Sequence, residues 1–226
     1  MTPISHFRVI AAAAALAIHC AADVPSPEAK PPRAEVSSLA PDELKEFATL
    51  PPGVKALITR ALDFTRKNLT YRFGSSDPAL GGMDCSGTIY RLLQDHGIKD
   101  APRQSDEMAV WVRDKTVLHE TQAATALEDE KFRTLSPGDL LFWTGTYEPS
   151  ARKLPVSHVM LYLGRCAKDG RPVIFGASDG RSYEGQRRCG VSVFDFKIPK
   201  PGDKARLLGY GPVPGLLREE VRKAAR

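Results

Sequence analysis

Residues 81–97, which read GGMDCSGTIYRLLQDHG, contain a complete helix with its start and stop signals. Asp84 has the short acceptor side chain favoured at the position before a helix, and Gly97 is the residue type that commonly ends one. The apolar residues that share one face at helical spacing are Ile89, Leu92 and Leu93. The stretch therefore predicts an amphipathic helix with Cys85 in its first turn.

The chain before this helix is also predicted to be helical. Apolar residues recur with a helical period at Val54, Leu57, Ile58, Ala61 and Phe64. A short helix is predicted over 41–50, because Pro41 and two acidic residues suit a first turn. A third helix is expected to start at Ser105, and the polar residues 114–134 are interpreted as an irregular insertion.

The pattern changes to strands from Gly138 onward. Short apolar runs rich in β-branched and aromatic residues alternate with turn-like segments. These runs are GDLLFW (138–143), HVMLYLG (158–164), RPVIFGA (171–177), GVSVFDF (190–196) and RLLGYG (206–211). Helices first and antiparallel strands second predict an α+β fold.

The totals favour one exported domain. The chain has 226 residues, of which 42% are hydrophobic, enough for one core. Residues 1–22 have the layout of a signal peptide, since one arginine precedes an apolar run too short to span a bilayer. A buried N-terminal helix is the alternative. We predict a Pro-rich linker over 23–40 and a single domain over 41–226.

The N-terminal segment also raises the question of a membrane anchor. LAIHC (16–20) loosely resembles the lipobox of bacterial lipoproteins, although His19 stands where a small residue is expected. The predicted location is therefore the periplasm or the cell surface, with membrane attachment only if Cys20 is lipidated. The sequence leaves the oligomeric state open.

Charge and motif content narrow the partners. The formal net charge of +5 suits an anionic partner such as the cell wall or a membrane surface. No spacing of Cys and His predicts a zinc site, and no phosphate-binding or dinucleotide glycine pattern is present. We therefore expect no cofactor or metal, and export argues against a nucleic-acid partner.

Three cysteines follow the predicted signal segment, and their pairing is not obvious. Cys166 and Cys189 invite a disulfide in an oxidising compartment. If 158–164 and 171–177 form a hairpin, however, the two cysteines lie at opposite ends of it, about 20 Å apart, beyond the reach of a bridge. We therefore favour free thiols.

Cys85 has two interpretations. The first is a nucleophile with a lowered thiol pKa, because unpaired backbone N–H groups and the helix dipole favour a thiolate at a helix start. The second is a small buried cysteine that only fills space in the core. A nucleophile needs a base, and His158 begins an apolar strand from which an imidazole can face a helix N-terminus. His96 and His119 are better explained as a helix-end residue and an exposed loop residue.

Four segments in order resemble a known family. YRFGSSDPALGGMDCSGTIYRLL (71–93), PRQSDEM (102–108), LSPGDLLFW (135–143) and SHVMLYLG (157–164) are similar to the motifs of the NlpC family of bacterial cell-wall cysteine peptidases. The similarity extends over about residues 57–196.

The resemblance implies a papain-like α+β fold in which a helix bearing the nucleophile packs on the sheet that bears the base. It assigns the nucleophile to Cys85 and the base to His158. It also implies that Tyr71, Asp84 and Ser86 line the site and bind the free amine of a substrate peptide. Helix capping explains Asp84 and Ser86 equally well.

The chain departs from this family at one position. Members usually carry a third polar residue, often a histidine, on the strand after the base, in a string resembling IHAS. Here the string is IFGAS, so Gly176 occupies that place. The hydrogen bond that orients His158 must then come from Ser178, Asp179, a backbone carbonyl or water, or be absent.

Together these features predict acyl transfer by a Cys–His pair. The resemblance makes the expected substrate a peptidoglycan stem peptide, cleaved between γ-D-glutamate and diaminopimelate or lysine, in wall remodelling or turnover. One alternative is a wall-binding or regulatory module whose chemistry is impaired by Gly176. Another is a cysteine amidase that acts on a non-wall amide.

Overall fold

The structure is a computed structural model, and it describes residues 35–122, 124–148 and 152–216. Three α-helices precede the main sheet, which confirms the predicted α+β class. The helices are α1 (Pro52–Thr65), α2 (Cys85–His96) and α3 (Ser105–Lys115). The predicted helix over 41–50 is instead two single 3₁₀ turns, Pro41–Glu43 and Phe47–Thr49, because Leu44 between them is extended and pairs with Cys166 as an isolated β-bridge.

The main sheet has six strands in the order β3-β10-β4-β5-β6-β9, and every neighbouring pair is antiparallel. Its strands are β3 (His119–Glu120), β4 (Asp139–Thr144), β5 (His158–Arg165), β6 (Pro172–Ser178), β9 (Gly190–Asp195) and β10 (Arg206–Pro212). Two small sheets are formed by β1 (Thr70–Tyr71) with β2 (Gly82–Met83) and by β7 (Ser182–Tyr183) with β8 (Gln186–Arg187). The apolar runs predicted as strands coincide with β4, β5, β6, β9 and β10.

Both faces of the main sheet are buried. On one face, Phe142, Leu161 and Phe175 pack against α1 and α2. On the other, Trp143, Met160 and their neighbours pack against Phe132 and Phe196. Alternation along each strand sends successive side chains to opposite faces. The helix-bearing face holds α2 against β5 and β6, and this contact brings the start of α2 to the start of β5.

Residues 35–40 lie along the sheet, although the sequence placed them in the linker. The N–H of Glu35 donates to the carbonyl of Cys189, and the N–H of Val193 donates to the carbonyl of Ser37. Leu39 is buried in the core. This segment therefore follows β9 through backbone hydrogen bonds and is anchored by one buried side chain, that of Leu39.

The polar insertion 114–134 is more ordered than the sequence indicated. β3 pairs with β10 at the sheet edge, and Glu130–Phe132 forms a 3₁₀ turn that buries Phe132. Thr134 Oγ1 lies 2.8 Å from Tyr210 Oη on β10. Contacts with a strand distant in sequence therefore order a segment that has little local signal.

The cysteine prediction agrees with the structure. Cys85, Cys166 and Cys189 are free thiols. Cys166 follows β5 and Cys189 precedes β9, at opposite ends of β6.

Several predictions lie outside the described residues: the signal peptide (1–22) with Cys20, the part of the linker before residue 35, and the part of the predicted domain after residue 216. Among the helices that are described, none is long and apolar enough to cross a membrane.

Candidate active site

Asp84 organises the start of α2. Its Oδ1 accepts from the Gly87 N–H at 2.6 Å and from the Ser86 hydroxyl at 3.3 Å. Its Oδ2 accepts from the Gly74 N–H at 2.8 Å and from Arg103 Nη2 at 2.9 Å. A carboxylate offers about four acceptor sites, so this helix cap is saturated by the protein itself.

Arg103 closes the same network and was not assigned a role from the sequence. Its Nη1 donates to Ser86 Oγ at 2.8 Å while its Nη2 bonds Asp84. Both Asp84 and Ser86 are buried. Arg103 lies in the segment PRQSDEM, but only the folded chain brings it to Ser86 and Asp84, which are 17 and 19 positions earlier in the sequence.

We expect Asp84→Ala to lower the free energy of unfolding by about 2–4 kcal/mol. Loss of a helix cap costs about 1 kcal/mol, and a partly buried Arg103 left without its carboxylate adds the rest. Urea denaturation followed by circular dichroism measures the change. Asp63→Ala is the matched control, because its ion pair with Arg66 is exposed and should contribute less than about 0.5 kcal/mol. Equal losses in the two variants would contradict a structural role for the Asp84 network.

Cys85 is the first residue of α2, as predicted, and its side chain lies against β5. The N–H of Val159, the second residue of β5, and that of Ser86 face the thiol and favour the thiolate. Burial acts more strongly in the other direction, because only 6% of Cys85 is exposed. It raises the pKa of the Cys85 thiol to about 11, and the Asp84 carboxylate also raises it. The expectation of a lowered pKa is therefore wrong for this state.

Alkylation should report this raised pKa directly. A thiol of pKa about 11 is ionised in about one molecule in a thousand at pH 8. Because only the thiolate reacts, the rate with iodoacetamide should rise about tenfold per pH unit from pH 7 to pH 10. Peptide mapping by mass spectrometry resolves Cys85 from Cys189, the internal comparator. A Cys85 rate that levels off below pH 8 would show a preformed thiolate instead.

His158 is the first residue of β5 and lies beside the end of α2 that carries Cys85. It pairs with Trp143 of β4, whose ring centroid is 5.7 Å away. Burial lowers the pKa of His158 well below its ordinary value, and the Arg181 cation lowers it further. The site therefore rests as a neutral thiol and a neutral imidazole.

The third polar group is missing from the wall beside His158. Its Nε2 is buried and has no hydrogen-bond partner among the described residues. A Cβ at Gly176 would lie 3.0 Å from Cε of Met160, so the Met160 side chain occupies the space that a residue there would use.

Neither sequence candidate for the orienting role bonds this nitrogen. Ser178 Oγ accepts from the Gly180 N–H at 3.3 Å, and the Asp179 carbonyl accepts from Arg187. Ser178 and Asp179 do line the cavity beside His158, but the predicted hydrogen bond to His158 Nε2 is not formed.

A cavity of about 1080 Å³ opens beside Cys85 and His158. Tyr71 and His158 form part of its wall, and burial followed by the nearby Cys85 thiol raises the pKa of Tyr71. Phe73, 72% exposed, meets the Tyr147 ring edge-on at 5.9 Å on the cavity rim. Of the predicted site residues, Tyr71, His158, Ser178 and Asp179 line this space, which is large enough for a peptide, whereas Cys85, Asp84 and Ser86 are not part of the lining.

The rim residue Tyr147 is fixed by α3. Arg152 donates to the Tyr147 hydroxyl and to Asp106 Oδ1, both at 2.7 Å. Asp106 also accepts from the Lys153 N–H at 3.0 Å, so its carboxylate ties residues 152 and 153 to the first turn of α3. Sequence reasoning missed Tyr147 and Arg152 because the segment between β4 and β5 has no periodic pattern.

The model of the NlpC/P60 family matches residues 68–183. A crystal structure from Staphylococcus aureus, of a protein described as similar to lipoprotein and of the NLP/P60 family, shares 23% identity at a TM-score of 0.44. That match covers 71% of this chain and 41% of the other, so the chain spans less than half of that protein's length. No curated protein matches the chain.

Proposed function

The chain belongs to the NlpC/P60 family, and from this premise we propose that it is an exported cysteine peptidase that hydrolyses amide bonds in peptidoglycan stem peptides. Membership confirms the resemblance seen in the sequence and supports a cell-wall cysteine peptidase function in general. The observation that carries the specific proposal is that the Cys85 thiol faces the N–H of Val159, the residue after His158 at the start of β5, while His158 itself lines a cavity of about 1080 Å³.

The proposed reaction is acyl transfer through a thioester. His158 takes the proton of the Cys85 thiol as the sulfur attacks the amide carbonyl. The N–H groups of Gly87 and Thr88 are occupied by Asp84 and that of Ser86 faces the thiol, so the N–H of Cys85 is the proposed donor at the helix start that stabilises the oxyanion. His158 then protonates the leaving amine, and water hydrolyses the thioester.

The proposed scissile bond joins γ-D-glutamate to diaminopimelate or lysine. We propose that the free amine of the substrate peptide, at the end of the acyl portion away from the scissile bond, is bound by Tyr71, Asp84 and Ser86. Because the Asp84 oxygens already accept four hydrogen bonds, we assign Asp84 an indirect part: it holds Ser86 and Arg103 in place and adds negative charge. Tyr71, on the cavity wall, is proposed to touch the peptide directly.

Export and wall localisation are proposed with the reaction. The signal segment over 1–22 and the net charge of +5 support an exported protein near an anionic polymer. Attachment to a membrane depends on lipidation of Cys20. The proposed peptidase domain, residues 41–226, is extended to include residues 35–40, which lie along β9, and its proposed partner is the stem peptide.

Defined stem peptides test the proposal. Tri-, tetra- and cross-linked peptides are incubated with the purified chain, and new amines are located by mass spectrometry. We expect one new amine, that of diaminopimelate or lysine, with L-alanyl-γ-D-glutamate as the other product. Release at another amide would reassign the bond, and cleavage of non-wall amides alone would favour the amidase hypothesis.

A second function, that of an impaired wall-binding module, is favoured by the unpartnered His158 Nε2 and the raised pKa of Cys85. Sedimentation with purified peptidoglycan separates the two. Wall binding without any peptide cleavage would support the module, and turnover of a stem peptide would exclude it.

A further inference from the structure

Arg181 is a cation with no acidic partner in the described part of the chain. It follows β6, its guanidinium carbon lies 4.3 Å from the centroid of the Trp143 ring, and no ion pair or hydrogen bond of its side chain is formed there. Arg171, by contrast, pairs with three carboxylates, those of Asp169, Glu184 and Asp195. A partly buried arginine without a counter-charge is costly unless a ligand supplies one.

Two more polar groups on the same wall lack partners. The indole Nε1 of Trp143 and the Nε2 of His158 are both buried and unbonded among the described residues. Arg181, Trp143 and His158 all line the 1080 Å³ cavity. These unpaired polar atoms lie behind the wall on which Arg181 stands, so the described protein groups leave hydrogen-bonding capacity unused there.

The other charges on the lining leave this wall positive. The charged lining residues are Asp179, Arg181, Lys197, Lys200, Asp203 and Lys204. Asp203 accepts from the backbone N–H of Lys200 at 2.8 Å, and the Asp179 carboxylate acts on Tyr71, where it raises the pKa of the phenol. Lys197 also pairs with Asp195, which lies outside the lining. Four cations against two carboxylates still leave the lining with a net positive charge, and the cavity therefore favours an anionic ligand.

We propose that Arg181, held on the face of Trp143, binds a carboxylate of the peptide substrate. The inference rests on the proposed function, since stem peptides carry such groups on both sides of the scissile bond. The carboxylate comes either from the acyl residue, γ-D-glutamate, or from the leaving diamino acid. A planar guanidinium with free donors is suited to bidentate recognition of this group.

Binding has a consequence for the base. The Arg181 charge lowers the pKa of His158, so a bound carboxylate that neutralises Arg181 makes His158 a better proton acceptor. Substrate binding then prepares the pair that rests as thiol and neutral imidazole. Arg181 is a binding and positioning residue in this scheme.

Isothermal titration on the full chain carrying Cys85→Ala tests the site. The probes are the tripeptide, its analogue with the glutamate α-carboxylate amidated, and its analogue with the diamino acid carboxylate amidated. Amidation of the recognised group should weaken binding roughly 10- to 100-fold. With Arg181→Met added, acid and amide forms should bind alike, whereas Arg188→Met should keep the preference. The amidated analogue that loses affinity identifies the source of the carboxylate.

A second probe does not depend on stem peptides. Acetate and acetamide are titrated against Trp143 fluorescence in a Trp111→Phe background, which leaves one of the two tryptophans. A saturable fluorescence response to acetate that is absent with acetamide and lost in Arg181→Met would support the carboxylate site. If this response is seen but no stem peptide is cleaved, only the proposed function fails. A carboxylate preference that persists in Arg181→Met, or that is absent from both probes in the parent chain, would overturn the inference. Circular dichroism confirms that each variant is folded.

Discussion

A chain carrying Cys85→Ala is expected to lose cleavage of stem peptides by at least about 1000-fold, because no other group can form the thioester. Cys166 and Cys189 are free thiols too, but Cys166 follows the end of β5 opposite to His158 and Cys189 pairs with Glu35 just before β9, whereas Cys85 lies against the start of β5. Initial rates measured by liquid chromatography with each variant at equal concentration give the comparison.

The matched control for this loss is Cys189→Ala. Cys189 is partly exposed, and its recorded hydrogen bonds with Glu35 use only the backbone, so the substitution should leave the rate within about twofold. The Cys85→Ala chain should still bind the tripeptide, because the cavity wall is intact. Residual cleavage above about a tenth of the parent rate would remove Cys85 from the mechanism.

His158→Ala is expected to reduce the turnover number about 100- to 10,000-fold with little change in peptide affinity, the size of effect typical for loss of a general base. The variant should regain rate as the pH rises, because hydroxide can ionise a thiol whose pKa is about 11. The parent chain, in contrast, should gain little above neutral pH, since its base stays neutral once the pH exceeds the lowered pKa of His158.

Pre-steady-state kinetics over pH 6 to 10 separate these profiles. His96→Ala is the control. His96 is the last residue of α2, whereas Cys85 is the first, so this substitution should leave the turnover number unchanged. A His158→Ala chain with the parent's pH profile would show that another group accepts the thiol proton.

The elements that the sequence predicted well are those with a local cause. Asp84 and Gly97 cap α2 at the predicted residues, since caps depend on neighbours within one turn. The strands beginning at His158 and Gly190 followed from apolar runs bounded by turns. Cys85 and His158 could be paired only through the order of the motifs, because no local pattern brings residues 73 positions apart together.

The rest of the site depends on tertiary contacts. The thiol pKa was predicted in the wrong direction because the helix start was visible in the sequence but the burial of Cys85 against β5 was not. The sequence around Arg103 and Arg181 indicated nothing beyond their charge. Arg103 donates a hydrogen bond to the Asp84 carboxylate, and Arg181 lies over the ring of Trp143. The sequence showed that Gly176 departs from the family pattern. That the Met160 side chain fills the space beside Gly176 could be seen only in the packed sheet.

The segment along β9 also determines how the protein behaves among other copies of itself. β9 ends the main sheet, and its outward N–H groups at Val191 and Val193 donate to the carbonyls of Leu69 and Ser37. Just before β9, Cys189 and Glu35 exchange two backbone hydrogen bonds. An open row of such groups is a template for strand addition and aggregation. A domain that began at residue 41, the boundary suggested by the sequence, would expose backbone groups on the outer edge of β9. Residues 35–40 therefore protect this edge from pairing with another copy of the chain.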